Sequence, residues 1–152
     1  MSLRFRDEYG QRRLDLPLFY DSFFGDSSVQ SYNSLYLRAA FDDSWIVPDG
    51  NLRGRAQLIR DQWMRDSMLD MGYEDAGRGR FVSLFINGLY WGVYNLHERQ
   101  EAAHVAEYHG GEKSDYVAVK GGEVVDGDPD AFNALRAVGN GTGLRWQSNL
   151  PG

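Results

Sequence analysis

The 152-residue chain contains no cysteine. That excludes disulfides, thiolate zinc sites and cysteine nucleophiles, and it leaves the compartment open. Lysine is almost missing as well: only Lys113 and Lys120 occur, so basic charge is carried nearly wholly by arginine. No apolar run is long enough to cross a membrane as a helix. The phosphate-loop patterns GxxxxGK(S/T) and GxGxxG are absent, as are the metalloprotease HExxH and the hydrolase GxSxG. The three histidines, His97, His104 and His109, are spaced by seven and five residues, which matches no helical metal pair, so no metal site is expected. A formal charge of −6 argues against nucleic acid as the main partner. No internal repeat is visible.

What is present is an ordinary globular composition, 42% hydrophobic and 14% aromatic, which predicts a substantial core in a single domain. The most informative stretch is Phe81 to Glu98, FVSLFINGLYWGVYNLHE. Asn87-Gly88 between two apolar, β-branched and aromatic runs is a strong hairpin signal, because a two-residue type I′ turn needs positive φ at both central positions. Simple alternation then pairs Ile86 with Leu89, Leu84 with Trp91 and Val82 with Val93 on a core face. The other face pairs Phe85 with Tyr90, Ser83 with Gly92 and Phe81 with Tyr94, which predicts a hollow at Ser83 and Gly92 between aromatic walls.

Other elements follow from pattern. Leu3 to Arg6 and Arg12 to Phe19 read as short extended pieces, the second irregular because of Pro17. Asp21 to Ser31 is a loop, Tyr32 to Phe41 a strand, and Asp42 to Arg53 a loop rich in turn formers. A helix is predicted from about Arg55 to Met71, stopped by Gly72, with Ala56, Ile59, Trp63, Met64, Met68 and Met71 as its buried face. Gln100 to Tyr108 is a short helix, Asp115 to Lys120 a strand broken by Gly121-Gly122, and Pro129 to Val138 a last helix capped by Asp128. Gly139 to Gly152 reads as a linker or cut end, anchored by Trp146. The sum is an α+β chain with a mainly antiparallel sheet, one long helix and two short ones. Residues 1–138 form the domain and 139–152 its tail.

Three side chains stand out. Arg60, in the middle of the predicted apolar helix face, must find acceptors. A structural ion pair to another element and a contact with a phosphate both satisfy that need. Lys120 ends an apolar strand beside two glycines, where it can reach a phosphate or extend into solvent. Glu98 falls by alternation on the face of Tyr90, Gly92 and Tyr94, at the end of the hollow. A Glu98–Lys120 pair, if their strands are neighbours, is either a structural bridge or the phosphate-positioning pair found in kinases. Asp42-Asp43 and Asp126-Gly127-Asp128 are explained by capping and loop solvation.

The run Asn87-Gly88-Leu89-Tyr90-Trp91-Gly92-Val93-Tyr94-Asn95-Leu96-His97-Glu98 resembles the core of the spore coat protein H (CotH-type) kinase family. The likeness extends to Arg6–Gly10 (RDEYG), Leu16–Phe19 (LPLF), Ser34–Arg38 (SLYLR), Asp42-Asp43-Ser44-Trp45, Ile59-Arg60-Asp61 and Asp115–Lys120. Ala39-Ala40-Phe41 departs from the glycine and asparagine usual there. The resemblance implies the N-terminal part of a kinase-like domain in a bacterial, secreted or cell-envelope protein. It implies that Lys120 holds ATP phosphates, that Glu98 orients it or joins the nucleotide site, and that Arg60 is structural or faces phosphate. ATP with Mg2+ and a protein substrate belong to the full-length parent. The family's catalytic aspartate and metal-binding segment lie further on, and nothing matching them occurs before Gly152. The chain is therefore expected to be an inactive piece without catalytic or metal residues of its own, needing no cofactor, bearing no membrane segment and prone to self-association through exposed apolar surface. The alternative is a non-catalytic binding or scaffold domain of a large secreted or envelope protein.

Overall fold

The computed structural model describes residues 1–141, so the tail beyond 141, with Trp146, lies outside the described residues. The chain divides into two compact units, Met1–Gln100 and Glu101–Gly152. The first is built on a four-stranded antiparallel sheet. Its strands are β1 (Ser2–Arg4), β4 (Ser34–Arg38), β6 (Leu89–Glu98) and β5 (Gly79–Ile86), in that spatial order. Two further strands, β2 (Leu14–Asp15) and β3 (Ser31–Tyr32), form a separate ribbon. The predicted extended pieces are thus shorter than their sequence pattern.

The hairpin turn forms as expected, with Asn87 at φ 51° and Gly88 at φ 78°. The register does not follow simple alternation. Phe85 pairs with Tyr90, but Leu84 pairs with Gly92, Ser83 with Val93 and Val82 with Tyr94. Trp91 is the extra residue of a β-bulge, and Gly92 beside it takes φ +124°, a conformation that suits glycine. The predicted facing of Ser83 and Gly92 therefore does not occur. The distal half of the hairpin is not core either: β4 pairs with β6 only over Asn95–Glu98, and Phe85, Leu89, Tyr90 and Trp91 are exposed.

The core lies on one face of the proximal sheet. Phe19, Tyr32 and Leu35 form its buried cluster, with Leu3, Leu14, Leu18, Val29 and Leu96 packed around it. The rings of Phe19 and Tyr32 meet edge to face at 5.5 Å. Arg80 clamps the covering loop by a two-armed bond to Asp21 (2.5 and 2.9 Å) and a bond to the Leu18 carbonyl.

A one-turn helix α1 (Gly50–Arg53) starts on Asp49, whose side chain accepts from the amides of Asn51 and Leu52. Helix α2 spans Arg60–Asp70, five residues later at its start than predicted. The delay has a local cause: Leu58 sits at φ 65°, and the carboxylate of buried Asp43 takes the amides of Gln57 and Arg60. The predicted apolar face of α2 points outward, with Ile59, Trp63, Met64 and Met71 exposed. Its buried residue is Gln62, turned to the sheet face opposite the core.

The second unit contains α3 (Ala102–His109), a hairpin of β7 (Ala118–Lys120) and β8 (Glu123–Asp126), and α4 (Pro129–Gly139), capped by Asp128. Asp126 organises it, accepting from the Ala102 amide (3.1 Å) and pairing with Lys113 (2.8 Å). The architecture is α+β with antiparallel sheets throughout.

Candidate functional site

Glu98 ends β6 opposite Leu35, on the core face. It is 1% exposed. Its Oε2 accepts the amide of Arg78 at 2.7 Å, and Gly77 packs so closely over it that a Cβ there would stand 3.1 Å from the Glu98 carbonyl oxygen. Arg78, also buried, sends its guanidinium to the Ser27 hydroxyl and the Glu74 carbonyl. Nearby, the Tyr32 hydroxyl donates to the Val29 carbonyl. Burial, and secondly the charge of Glu98, push its pKa up to about 12. Glu98 is thus an inward carboxylate that pins the 76–78 turn to the strand end. In this geometry it is sealed in the interior, whereas alternation alone placed it at the rim of an open hollow.

The opposite face of the sheet carries a polar network that ties down α2. Asn95 Nδ2 donates to Gln62 Oε1 at 2.9 Å, Gln62 Nε2 donates to Asp66 at 2.8 Å, and the Arg65 guanidinium donates to Asn95 Oδ1. Arg38 on β4 pairs with Asp61 at 2.5 Å. The approach is tight, since a Cβ on Gly79 would meet Gln62 Oε1 at 2.4 Å. His97 lies on this face. Burial first, and then the positive charge of Arg65, hold its pKa down to about 4. Its Nδ1 is 2.7 Å from the Glu98 carbonyl, which can only accept, so Nδ1 carries the proton. Burial likewise lowers the pKa of Arg65.

Arg60 is not in the middle of an apolar face but at the first position of α2, half exposed. It pairs with Asp43 at 3.0 Å and donates to the Arg55 carbonyl. It opens the helix that covers the face opposite Glu98, so the two are not brought together.

Lys120 belongs to the second unit. It is exposed at the end of β7, across from Glu123, at a tight turn formed by Gly121 (φ 60°) and Gly122 (φ 86°). No hydrogen bond or ion pair to another described residue involves its ammonium. Among the described residues, no group of three histidine, aspartate or glutamate side chains could hold a metal ion, and no helix is long and apolar enough to cross a membrane.

The model of the CotH kinase protein family matches residues 8–143. The chain belongs to the CotH kinase protein family. No curated protein and no solved structure matches it. In this CotH-family chain the Tyr-Trp-Gly-x-Tyr-x-Leu-x-Glu run is strand β6. It delivers Asn95 and His97 to one face, and Leu96 and Glu98 to the other. Sequence reasoning passed over Arg78, Arg65, Gln62 and Asn95. The available signal was Asn95 itself, a polar residue breaking an apolar and aromatic strand.

Proposed function

We propose that the chain is the nucleotide-side part of a CotH-type protein kinase domain, with Lys120 as the contact to ATP phosphates. The observation that carries this reading is the family match over residues 8–143. In support, the Lys120 ammonium stands without a protein partner among the described residues, on a two-glycine turn that lets a phosphate come close. Glu98 acts from inside, fixing the end of β6, and Arg60 is structural through Asp43. The residues fit the phosphate side of an ATP·Mg2+ ligand and not its metal side, because the described residues offer no carboxylate set for the ion. Phosphoryl transfer to a protein acceptor, which needs such a set, is assigned to the whole parent domain; this chain by itself is proposed to be inactive.

Titration with ATP and Mg2+ by calorimetry, wild type against Lys120→Ala, tests the assignment. Loss of a phosphate–ammonium contact predicts about tenfold weaker binding in the variant, the scale of one charge-assisted bond. Equal affinity, or no binding by either protein, removes the clamp. A second reading, a non-catalytic scaffold domain, is favoured by one observation: Glu98 is sealed in the interior rather than presented to a ligand. Absence of binding in both proteins would leave that reading.

A further inference from the structure

A cavity of about 230 Å³ opens in the first unit, between the end of β1 and the start of β2. Its lining includes three arginines, Arg4, Arg6 and Arg13, together with Tyr9 and Gln11. Leu14 also lines it and packs on the core cluster, which anchors one wall. Arg13 is held in place: Nε donates to the Ser31 hydroxyl at 2.7 Å and Nη2 to the Ser31 carbonyl at 3.0 Å. The acidic neighbours Asp7, Glu8 and Asp15 do not line the cavity; Asp15 accepts from the Ser31 hydroxyl at 2.5 Å. Among the residues that line this hollow, three carry positive charge and none carries negative charge. Guanidinium groups suit tetrahedral oxyanions, and Tyr9 and Gln11 carry neutral donor groups. The volume is below the roughly 300–1,000 Å³ of sites for drug-sized molecules, so it suits a compact ligand.

We infer that this pocket is a binding site for a small dianionic oxyanion, of the phosphate or phosphomonoester class. It shares no residue with Lys120, Glu98 or Arg60, and it stands independently of the nucleotide reading.

Calorimetric titration with inorganic phosphate, with acetate as a monoanionic control, tests it on the full chain. Phosphate is expected to bind saturably and acetate at least about tenfold more weakly, as loss of one charge-assisted contact implies. Arg6→Met is the primary variant, because Arg6 is exposed and its loss spares the fold; Arg13→Met is the second. Each is expected to weaken phosphate binding about five- to tenfold. Arg12→Met removes the same charge from an exposed neighbour that does not line the cavity, and it is expected to leave affinity unchanged. Equal losses in Arg6→Met and Arg12→Met would show diffuse attraction and overturn the site. So would phosphate binding that vanishes in Lys120→Ala but survives in Arg6→Met, or no saturable binding at all.

Discussion

Removing the carboxylate of Asp43 is expected to be among the costlier single changes in the first unit. Asp43 is 6% exposed, yet it serves three donors: the amide of Gln57 at 2.9 Å, the amide of Arg60 at 3.2 Å and the guanidinium of Arg60 at 3.0 Å. Hydrogen bonds to a charged group contribute about 1.5–3 kcal/mol each, and the longer amide bond falls at the low end. Arg60 is half exposed, so water screens the ion pair to about 1 kcal/mol or less. The Arg60 amide is also the first of α2, where a negative charge adds about 0.3–1 kcal/mol through the helix dipole. Because these contributions share one side chain and are not additive, Asp43→Ala is expected to cost about 3 kcal/mol. Asp43→Asn, which keeps one acceptor, should cost about 1–2 kcal/mol, and Arg60→Ala about 1 kcal/mol or less. With a urea slope of about 2 kcal/mol per molar, the Ala variant should unfold about 1.5 M earlier than wild type. Trp45 is a suitable fluorescent reporter, since its indole Nε1 donates to the Ala56 carbonyl within the same loop. A midpoint unchanged in Asp43→Ala would refute the reasoning. An Arg60→Ala cost equal to that of Asp43→Ala would refute the division between amides and ion pair.

Two other outcomes follow. His97 has a folded pKa of about 4 against an ordinary 6.5, so the unfolded chain takes up the proton first as pH falls. Its stabilising contribution is complete above about pH 6.5 and is lost between about 6.5 and 4, on the order of 3 kcal/mol; urea midpoints across that window should fall in wild type and flatten in His97→Gln. The distal β5–β6 hairpin, apolar on both faces and uncovered, is expected to self-associate, with sedimentation shifting to larger species at high concentration and Trp91→Lys reversing the shift.

Much of the fold was legible where one residue pair decides the backbone. Asn87-Gly88 dictated its turn, Asp128-Pro129 started α4, and Gly121-Gly122 ended β7 at Lys120, though that the chain returns there as β8 was not decided by the pattern. The register of the main hairpin was not legible, because alternation counts residues and cannot see that Trp91 is left unpaired; only Gly92 hinted at the bulge. The facing of α2 was misleading for a different reason. Apolar spacing identifies a stripe, not what lies beneath the helix, and here the sheet presents Asn95, His97 and Arg38. Gln62 and Arg65 answer that polar surface, while Trp63 and Met64 face water. For the candidate site, Glu98 was legible as a singular acid at a strand end, but its inward direction depends on the Arg78 amide, twenty residues earlier. The departure at Ala39-Ala40-Phe41 also acquires a physical meaning. Ala40 adopts the left-handed conformation (φ 50°, ψ 53°), where glycine or asparagine rests without strain and alanine pays roughly 1 kcal/mol.

The sheet is gripped on its two sides by different kinds of adhesion. Beneath lies hydrocarbon around Phe19, Tyr32 and Leu35; above lies the amide, guanidinium and carboxylate lattice of Gln62, Arg65 and Asp66. Chilling weakens oily contacts, because the water they exclude becomes a better solvent for them. The lattice has little oil to lose. Cold therefore loosens the underside first, whereas acid, which charges His97, loosens the top, so a single slab of strands comes apart from opposite directions under the two stresses.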